Sequence, residues 1–435
     1  MKADLGKLVS HNSVFSEDQL PFGSENRKVL DDALAMMDKV GLKSTNLNYY
    51  CGYGQTGQGD KTIGILAHLD VVPSGEGWDS DPFEMIEKDG YLYGRGVSDD
   101  KGAAVASMYA LKYLIENDYP FKKKVRLILG CNEESGSRCL AHYVEKEGHI
   151  DLGFTPDANF PGIFAEKGIV GGSVITKGSK IIDIDGGFVS NAVASKVRVV
   201  IPAGSIDKDK FEAYLSKQDI RFEFEEAEAW TITVYGVAAH ASTPELGRNA
   251  ISYLMEALYE SGFDDVMSDY YHRFIGLSLH GEPLGIDFKD QYTDLTFNVG
   301  IIRKQGDDIF FTIDIRFPVL TRSNQVIEKM EEQMNDEHHS LDLGKAVEPL
   351  FFDPNGPMLR ALKKAYADVT GDDQTEMFAI GGGTYSKGIN NCIAFGCEFL
   401  GADNHIHNAN ECLSVEEFKL QVKIYIEAIK NLNEI

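Results

Sequence analysis

The run Thr62-Ile63-Gly64-Ile65-Leu66-Ala67-His68-Leu69-Asp70 decides the fold. Ile63 to Ala67 are all apolar or small, too few for a helix and right for a strand buried on both faces. Such strands belong to parallel sheets covered by helices. The strand ends on an imidazole and a carboxylate two residues apart, which share one face. Upstream, Val29, Leu30, Ala33, Met36, Met37 and Val40 recur at helical spacing until Gly41 stops them. Downstream, Asp89-Gly90 between two short runs is a hairpin-turn signal. A helix from about Gly102 to Asn117, with Ala104, Met108, Leu111 and Ile115 on one face, then precedes an apolar strand from Val125 to Leu129. Alternation of this kind predicts an α/β domain on a mainly parallel sheet.

From about Gly168 the texture changes. Longer, more polar strands are expected at Lys196 to Pro202, Ala229 to Tyr235, Leu295 to Ile302 and Ile309 to Phe317, with helices near Asp207, Asn249 and Ser323. A helix at Leu359, a strand at Cys392 and a helix opened by Ser414-x-x-Glu417 then resume the first pattern. The expected organisation is therefore a discontinuous α/β domain, residues 1–167 and 348–435, interrupted by an inserted α+β domain, residues 168–347.

At 435 residues the chain exceeds the size at which single cores stop growing, in keeping with two domains. Its 42 Lys plus Arg stand against 68 Asp plus Glu, a formal net charge of -26. A field of that sign repels nucleic acid and anionic membrane, so neither is expected as a partner. Six cysteines form no C-x-x-C pair, which argues against a disulfide scaffold and for a reducing compartment. The first residues carry no apolar leader, and no stretch reaches the length of a membrane span. A cytoplasmic protein is expected.

Five loci each place a metal-type ligand just after a strand, where open α/β sheets hold their ligands. They are His68-Leu69-Asp70, Asp99-Asp100 at the start of a helix, Asn132-Glu133-Glu134-Ser135-Gly136, Asp157, and His405-Ile406-His407. Each is weak alone. Together they supply the mixed nitrogen and oxygen donors of a two-metal hydrolase site, in which neighbouring carboxylates can divide the work of holding metal and moving a proton.

These motifs, His68-Leu69-Asp70-Val71-Val72-Pro73, Gly94-Arg95-Gly96-x-x-Asp99-Asp100-Lys101-Gly102, Asn132-Glu133-Glu134-Ser135-Gly136 and His407-x-x-Asn410-Glu411, resemble those of the M20 metallopeptidases, and most closely the PepV-like dipeptidase branch. The resemblance implies that His68 and Asp157 hold one metal, Glu134 and His407 the other, and that Asp99 bridges them across a cis Asp99-Asp100 peptide. It makes Glu133 the general base and Asp70 the residue orienting His68. His407 is preferred to His405 because the family pattern is H-x-x-N-E. The inserted domain resembles the family's lid, with His240 in Gly236-Val237-Ala238-Ala239-His240 as its catalytic histidine. Asn191, Arg316 and the Gly381-Gly382-Gly383 loop would grip the free carboxylate of a short peptide, although Asn191 lacks the family's nearby proline and Ser386-Lys387 replaces its usual Ala-Arg.

The resemblance implies a dipeptidase using two divalent ions, zinc first, with manganese or cobalt as alternatives. A long lid is compatible with a monomer. Two other readings use the same residues: an amidase of the same fold acting on N-acyl or N-succinyl amino acids, and a catalytically silent peptide- or metal-binding relative. The intact Glu133 argues against the latter.

Overall fold

In the computed structural model, which describes residues 1–435, Thr62–His68 is a strand, buried from Ile63 onwards. It pairs in parallel with Lys124–Gly130 and with Leu152–Thr155, and Cys392–Ala394 pairs in parallel with the latter. The crossovers that parallel pairing requires are the helices Lys101–Glu116 and Arg138–Glu147. Before the first of them, Asp89 and Gly90 take positive φ angles of 52° and 84° and turn Ile86–Lys88 back along Tyr91–Tyr93.

Parallel pairing joins these four central strands and recurs in a separate two-stranded piece, Ala158–Asn159 with Cys397–Glu398. On one flank Lys43–Leu47 and Cys51–Thr56 are antiparallel, because Asn48 and Tyr49, both at positive φ, close a turn too tight for any other pairing. Periodicity does not reveal Cys51–Thr56, since Gly52 and Gly54 interrupt its apolar pattern. Their role is close approach: a Cβ on Gly52 would lie 2.9 Å from Leu34 and one on Gly54 2.7 Å from Met37, both on the helix Ser24–Lys39.

The chain divides into two compact units. The first comprises Met1–Phe164, Phe352–Phe378 and Gly383–Ile435, the second Ala165–Phe351 with Ala379–Gly382. The breaks fall a few residues outside the expected 168 and 347. The short return to the second unit is tied by a backbone bond from Lys167 N–H to Ile380 O at 2.9 Å. In the first unit the closing helix Val415–Glu434 packs against Lys101–Glu116 and Pro357–Thr370. Ser414 Oγ accepts from Glu417 N–H at its start.

The second unit is an antiparallel sheet in the order Phe222–Glu225, Ala229–Tyr235, Lys196–Pro202, Asp183–Gly186, Thr296–Gln305, Asp308–Phe317, Gly168–Thr176, His339–Leu343. Its apolar core includes Val197, Val199 and Ile313 from the strands and Leu254, Met255 and Leu258 from the helix Ala250–Glu260. Asn249 caps that helix by accepting from Ile251 N–H, and its amide donates to Val299 O at 2.8 Å, pinning the helix to the sheet.

Candidate active site

Register puts the site at the carboxyl ends of the parallel strands. His68 lies opposite Gly130, so the loop that follows Gly130 delivers Glu133 and Glu134 beside the imidazole, and Asp157 follows Thr155 of the next strand. The ring of His68 is fully buried, and Nδ1–H donates to the carbonyl oxygen of Asp70 at 2.9 Å. A carbonyl only accepts, so Nδ1 carries a proton and Nε2 is the nitrogen left to face a ligand.

His68 Nε2 meets Asp99 Oδ1 at 2.9 Å and Asp157 Oδ1 at 3.9 Å. The other oxygen of Asp99, Oδ2, meets His407 Nε2 at 2.9 Å, and Glu134 Oε1 lies 3.1 Å from the same nitrogen. One carboxylate thus presents a separate oxygen to each of two imidazoles, the disposition required of a group bridging two cations. Single donor atoms from His68, Glu133 and Asp157 gather within 4.8 Å of one another, as do those from His68, Asp99 and Glu134. His405 stays outside, 3.6 Å from Asp403. The Asp99-Asp100 peptide is cis.

Burial, followed by the neighbouring charges of Asp99, Asp100 and Glu133, pushes Asp157 well above the usual carboxylate range, with His68 opposing. Burial also raises Glu133 to about 7, helped by Glu134, Asp70 and Asp99. His407 is raised to about 10 by its hydrogen bonds to Asp99 and Glu134. Burial acts against charge on His68, but the Asp99 hydrogen bond and the charges of Asp157, Asp99 and Asp70 outweigh it. Asp157 and Glu133, driven upward by burial and neighbouring charges, and Asp99, held against the effect of burial well below the usual carboxylate range by its hydrogen bonds to His407 and His68, form a donor set that fits divalent cations.

Asp70 and Glu411 make contacts that the sequence reading did not assign. Asp70 orients His68 through its backbone carbonyl, with its carboxylate 3.6 Å from Nδ1. That carboxylate instead accepts from Glu133 N–H at 3.0 Å and Glu134 N–H at 3.1 Å, one oxygen each, and so sets the loop that carries both glutamates. Glu411, quoted only as the end of a motif, is fully buried and organises the opposite wall. Its Oε1 accepts from Ser98 and Asp99 N–H at 2.9 and 3.1 Å, and its Oε2 from Gly96 N–H and Arg95 Nη1 at 3.0 and 2.8 Å. Asp100 also contributes, accepting from His68 N–H at 3.1 Å. The signal available was position in the motifs, Asp100 next to Asp99 and Glu411 four residues after His407, which does not state a direction.

The remaining predicted residues lie in the second unit, apart from Gly383. His240 Nδ1 accepts from Ser242 N–H at 3.1 Å and lies 2.7 Å from Ser242 Oγ, so the neutral ring carries its proton on Nε2. Partial desolvation and the Arg316 charge hold its pKa below the ordinary value, which favours that neutral form. Asn191 O accepts from Ala241 N–H at 2.9 Å, beside a bridge between Ala192 and His240. Arg316, 6% exposed, spends Nε and Nη2 on the two oxygens of Asp314 at 2.5 and 2.9 Å, and Nη1 lies 3.4 Å from Gly381 O.

Solved structures share this fold across essentially the whole chain. They include human carnosine dipeptidase 1 (TM-score 0.58, 16% identity, 100% of this chain and 96% of that one) and the di-peptidase Dug1p of Saccharomyces cerevisiae (0.59, 18%, 100% and 96%). The M20 family metallo-carboxypeptidase Sso-CP2 of Sulfolobus solfataricus gives 0.60 at 18%, covering 100% and 99%. Closer in sequence are "Putative dipeptidase SH1171" of Staphylococcus haemolyticus, 33% identical over 453 residues, and "Putative dipeptidase YtjP" of Bacillus subtilis, 32% identical over 450. Both alignments span 99% of this chain and 96% of the relative. The model of peptidase family M20/M25/M40 matches residues 64–431, from the strand that delivers His68 to the helix after His407, and the chain belongs to that family.

Proposed function

We propose that this chain is a metal-dependent dipeptidase. The observation that carries the reading is the division of Asp99, Oδ1 toward His68 and Oδ2 toward His407, with Glu133 and Glu134 held side by side on Asp70. His68 and Asp157 would hold one divalent cation, Glu134 and His407 the other, and Asp99 both. Such cations lower the pKa of water and polarise a carbonyl. Imidazole and carboxylate donors suit zinc, with manganese and cobalt as the alternatives.

Glu133 takes the proton of the attacking water on its carboxylate and returns it to the leaving amine. The backbone bonds to Asp70 support that shuttle, since they hold Glu133 beside the proposed metal ligand Glu134. The tautomer of His240 supports a donor role for Nε2–H toward the oxygen on which charge develops. Arg316 is assigned to the free carboxylate of the substrate: Asp314 fixes its guanidinium plane and leaves the Nη1 edge beside Gly381. We assign Asn191, Gly382 and Gly383 to the same task, and residues 168–347 to a lid. The length of the inserted segment, residues 168–347, supports a monomer, since a long lid can complete a site within one chain. No helix is long and apolar enough to cross a membrane, and six buried free cysteines accord with a cytoplasmic setting.

The test is a side-by-side assay of the metal-loaded protein on dipeptides, N-acetyl amino acids and N-succinyl amino acids, with metal content measured. Chelator-sensitive cleavage of dipeptides is expected. Cleavage of the acylated substrates alone would replace this reading with an amidase, and no metal-dependent turnover on either would leave a binding protein.

A further inference from the structure

The second unit contains a cavity of about 540 Å³ on the flank of Arg316. Thr296 lies directly opposite Arg316 in the pairing of Thr296–Gln305 with Asp308–Phe317, so the two side chains share a face. Thr296 is 4% exposed and lines the cavity, yet its Oγ1 has no hydrogen-bond partner within the protein. A buried hydroxyl is costly to leave unpaired, and here it is turned to a concave, polar space. Ser242, which holds His240 Nδ1, lines the same space.

The charges around it sort by position. Asp290 is spent on the backbone, accepting from Tyr292, Thr293 and Leu320 N–H. Asp294 sits 3.5 Å from Lys289, and both are half or more exposed. Thr296, His280 and Lys167 also line the cavity, Lys167 being 7% exposed and under the charge of Glu245, a further lining residue. His280 Nδ1–H donates to Leu295 O at 2.7 Å, which leaves Nε2 as the ring nitrogen for a ligand.

We propose that this cavity receives the side chain of the substrate's C-terminal residue and selects one ending in a carbonyl-type oxygen, an amide or a carboxylate. The inference rests on the dipeptidase reading, in which Arg316 holds the carboxylate, because the nearest side chain is then that of the C-terminal residue. The Thr296 hydroxyl and the Lys167 ammonium donate to the side-chain oxygen.

The experiment measures kcat/KM of the metal-loaded protein on alanyl-glutamine, alanyl-glutamate and alanyl-methionine, three side chains of similar length. The reversed peptides glutaminyl-alanine and methionyl-alanine serve as controls. At least one polar C-terminal residue should exceed methionine by roughly tenfold or more, since a site built to bond a polar group rejects the analogue lacking it. The controls should differ less. Thr296→Val, which keeps shape and removes the hydroxyl, should shrink the glutamine-to-methionine ratio by about tenfold. Methionine cleaved as fast as both polar residues, or a ratio indifferent to Thr296→Val, would overturn the subsite and leave the dipeptidase standing. No cleavage of any of the five peptides would remove both.

Discussion

Replacing Glu411 by glutamine tests how the two halves of the candidate site are joined. Its carboxylate serves four donors, two per oxygen. Glutamine can accept with one oxygen only. If that oxygen stays with Arg95 and Gly96, the N–H groups of Ser98 and Asp99 face an amide that also donates. Two buried donors then lose their acceptor at about 1–3 kcal/mol each, and the local structure weakens by roughly 3 kcal/mol. That is a large part of the 5–15 kcal/mol that typically separates folded from unfolded protein. Because Asp99 N–H is one of the two, the bridging carboxylate loses its fixed backbone, and metal affinity should fall about 10- to 100-fold, as when groups supporting metal ligands are altered. Competition against a chelator of known affinity reads the metal term, and hydrogen exchange at residues 94–100 reads the local opening. Wild-type metal affinity in Glu411→Gln, with unchanged exchange in that loop, would refute the reasoning.

Three further outcomes are expected. Asp70→Asn keeps the backbone carbonyl that orients His68 but offers one acceptor to the two amides of Glu133 and Glu134, so it should lower kcat and metal affinity together, by about 10- to 100-fold; loss of neither would detach Asp70 from the loop. Glu133→Ala should retain both metals by elemental analysis while turnover drops at least 100-fold, the scale of a lost proton carrier, and substantial residual activity would remove it as the base. Glu398 is raised from 4.5 to about 7, chiefly by burial and then by the Asp99 charge. A folded-state pKa above the unfolded one stabilises fully below pH 4.5, and that contribution is lost as pH rises through 7. In metal-stripped protein, Glu398→Gln should therefore raise the melting temperature at pH 8 and have little effect at pH 4.5; equal shifts at both would exclude titration of Glu398.

Four of the proposed ligands were legible as candidates because they lie just after an apolar strand or just before a helix, whereas His407, in the loop between Cys397–Glu398 and Cys412–Ser414, was chosen over His405 on the motif H-x-x-N-E. His68, Asp99, Glu134, Asp157 and His407 could be nominated before their distances were known. The supporting contacts were not legible, since Glu411 reaches back to residues 95–99 and Asp70 reaches forward to 133 and 134, pairings that no periodicity encodes. Strands Thr62–His68 and Asp308–Phe317 read directly, whereas Cys51–Thr56 was hidden by the glycines that let a helix lie against it. The junctions of the two units were readable only to within a few residues because backbone bonds such as Lys167 to Ile380 join segments far apart in the chain.

The Arg95–Glu411 pair spans 316 residues, and its distal partner sits beside the last predicted ligand, His407. During synthesis, residues 68, 99, 134 and 157 emerge early and wait while the whole second unit is made. Until residues 407–411 arrive, Arg95 has no carboxylate, the Asp99 loop has no acceptor for its amides, and the second imidazole is missing. A chain stopped before residue 407 therefore lacks both the Glu411 contacts and the second proposed imidazole ligand, and on that proposed ligand set it would not hydrolyse a peptide.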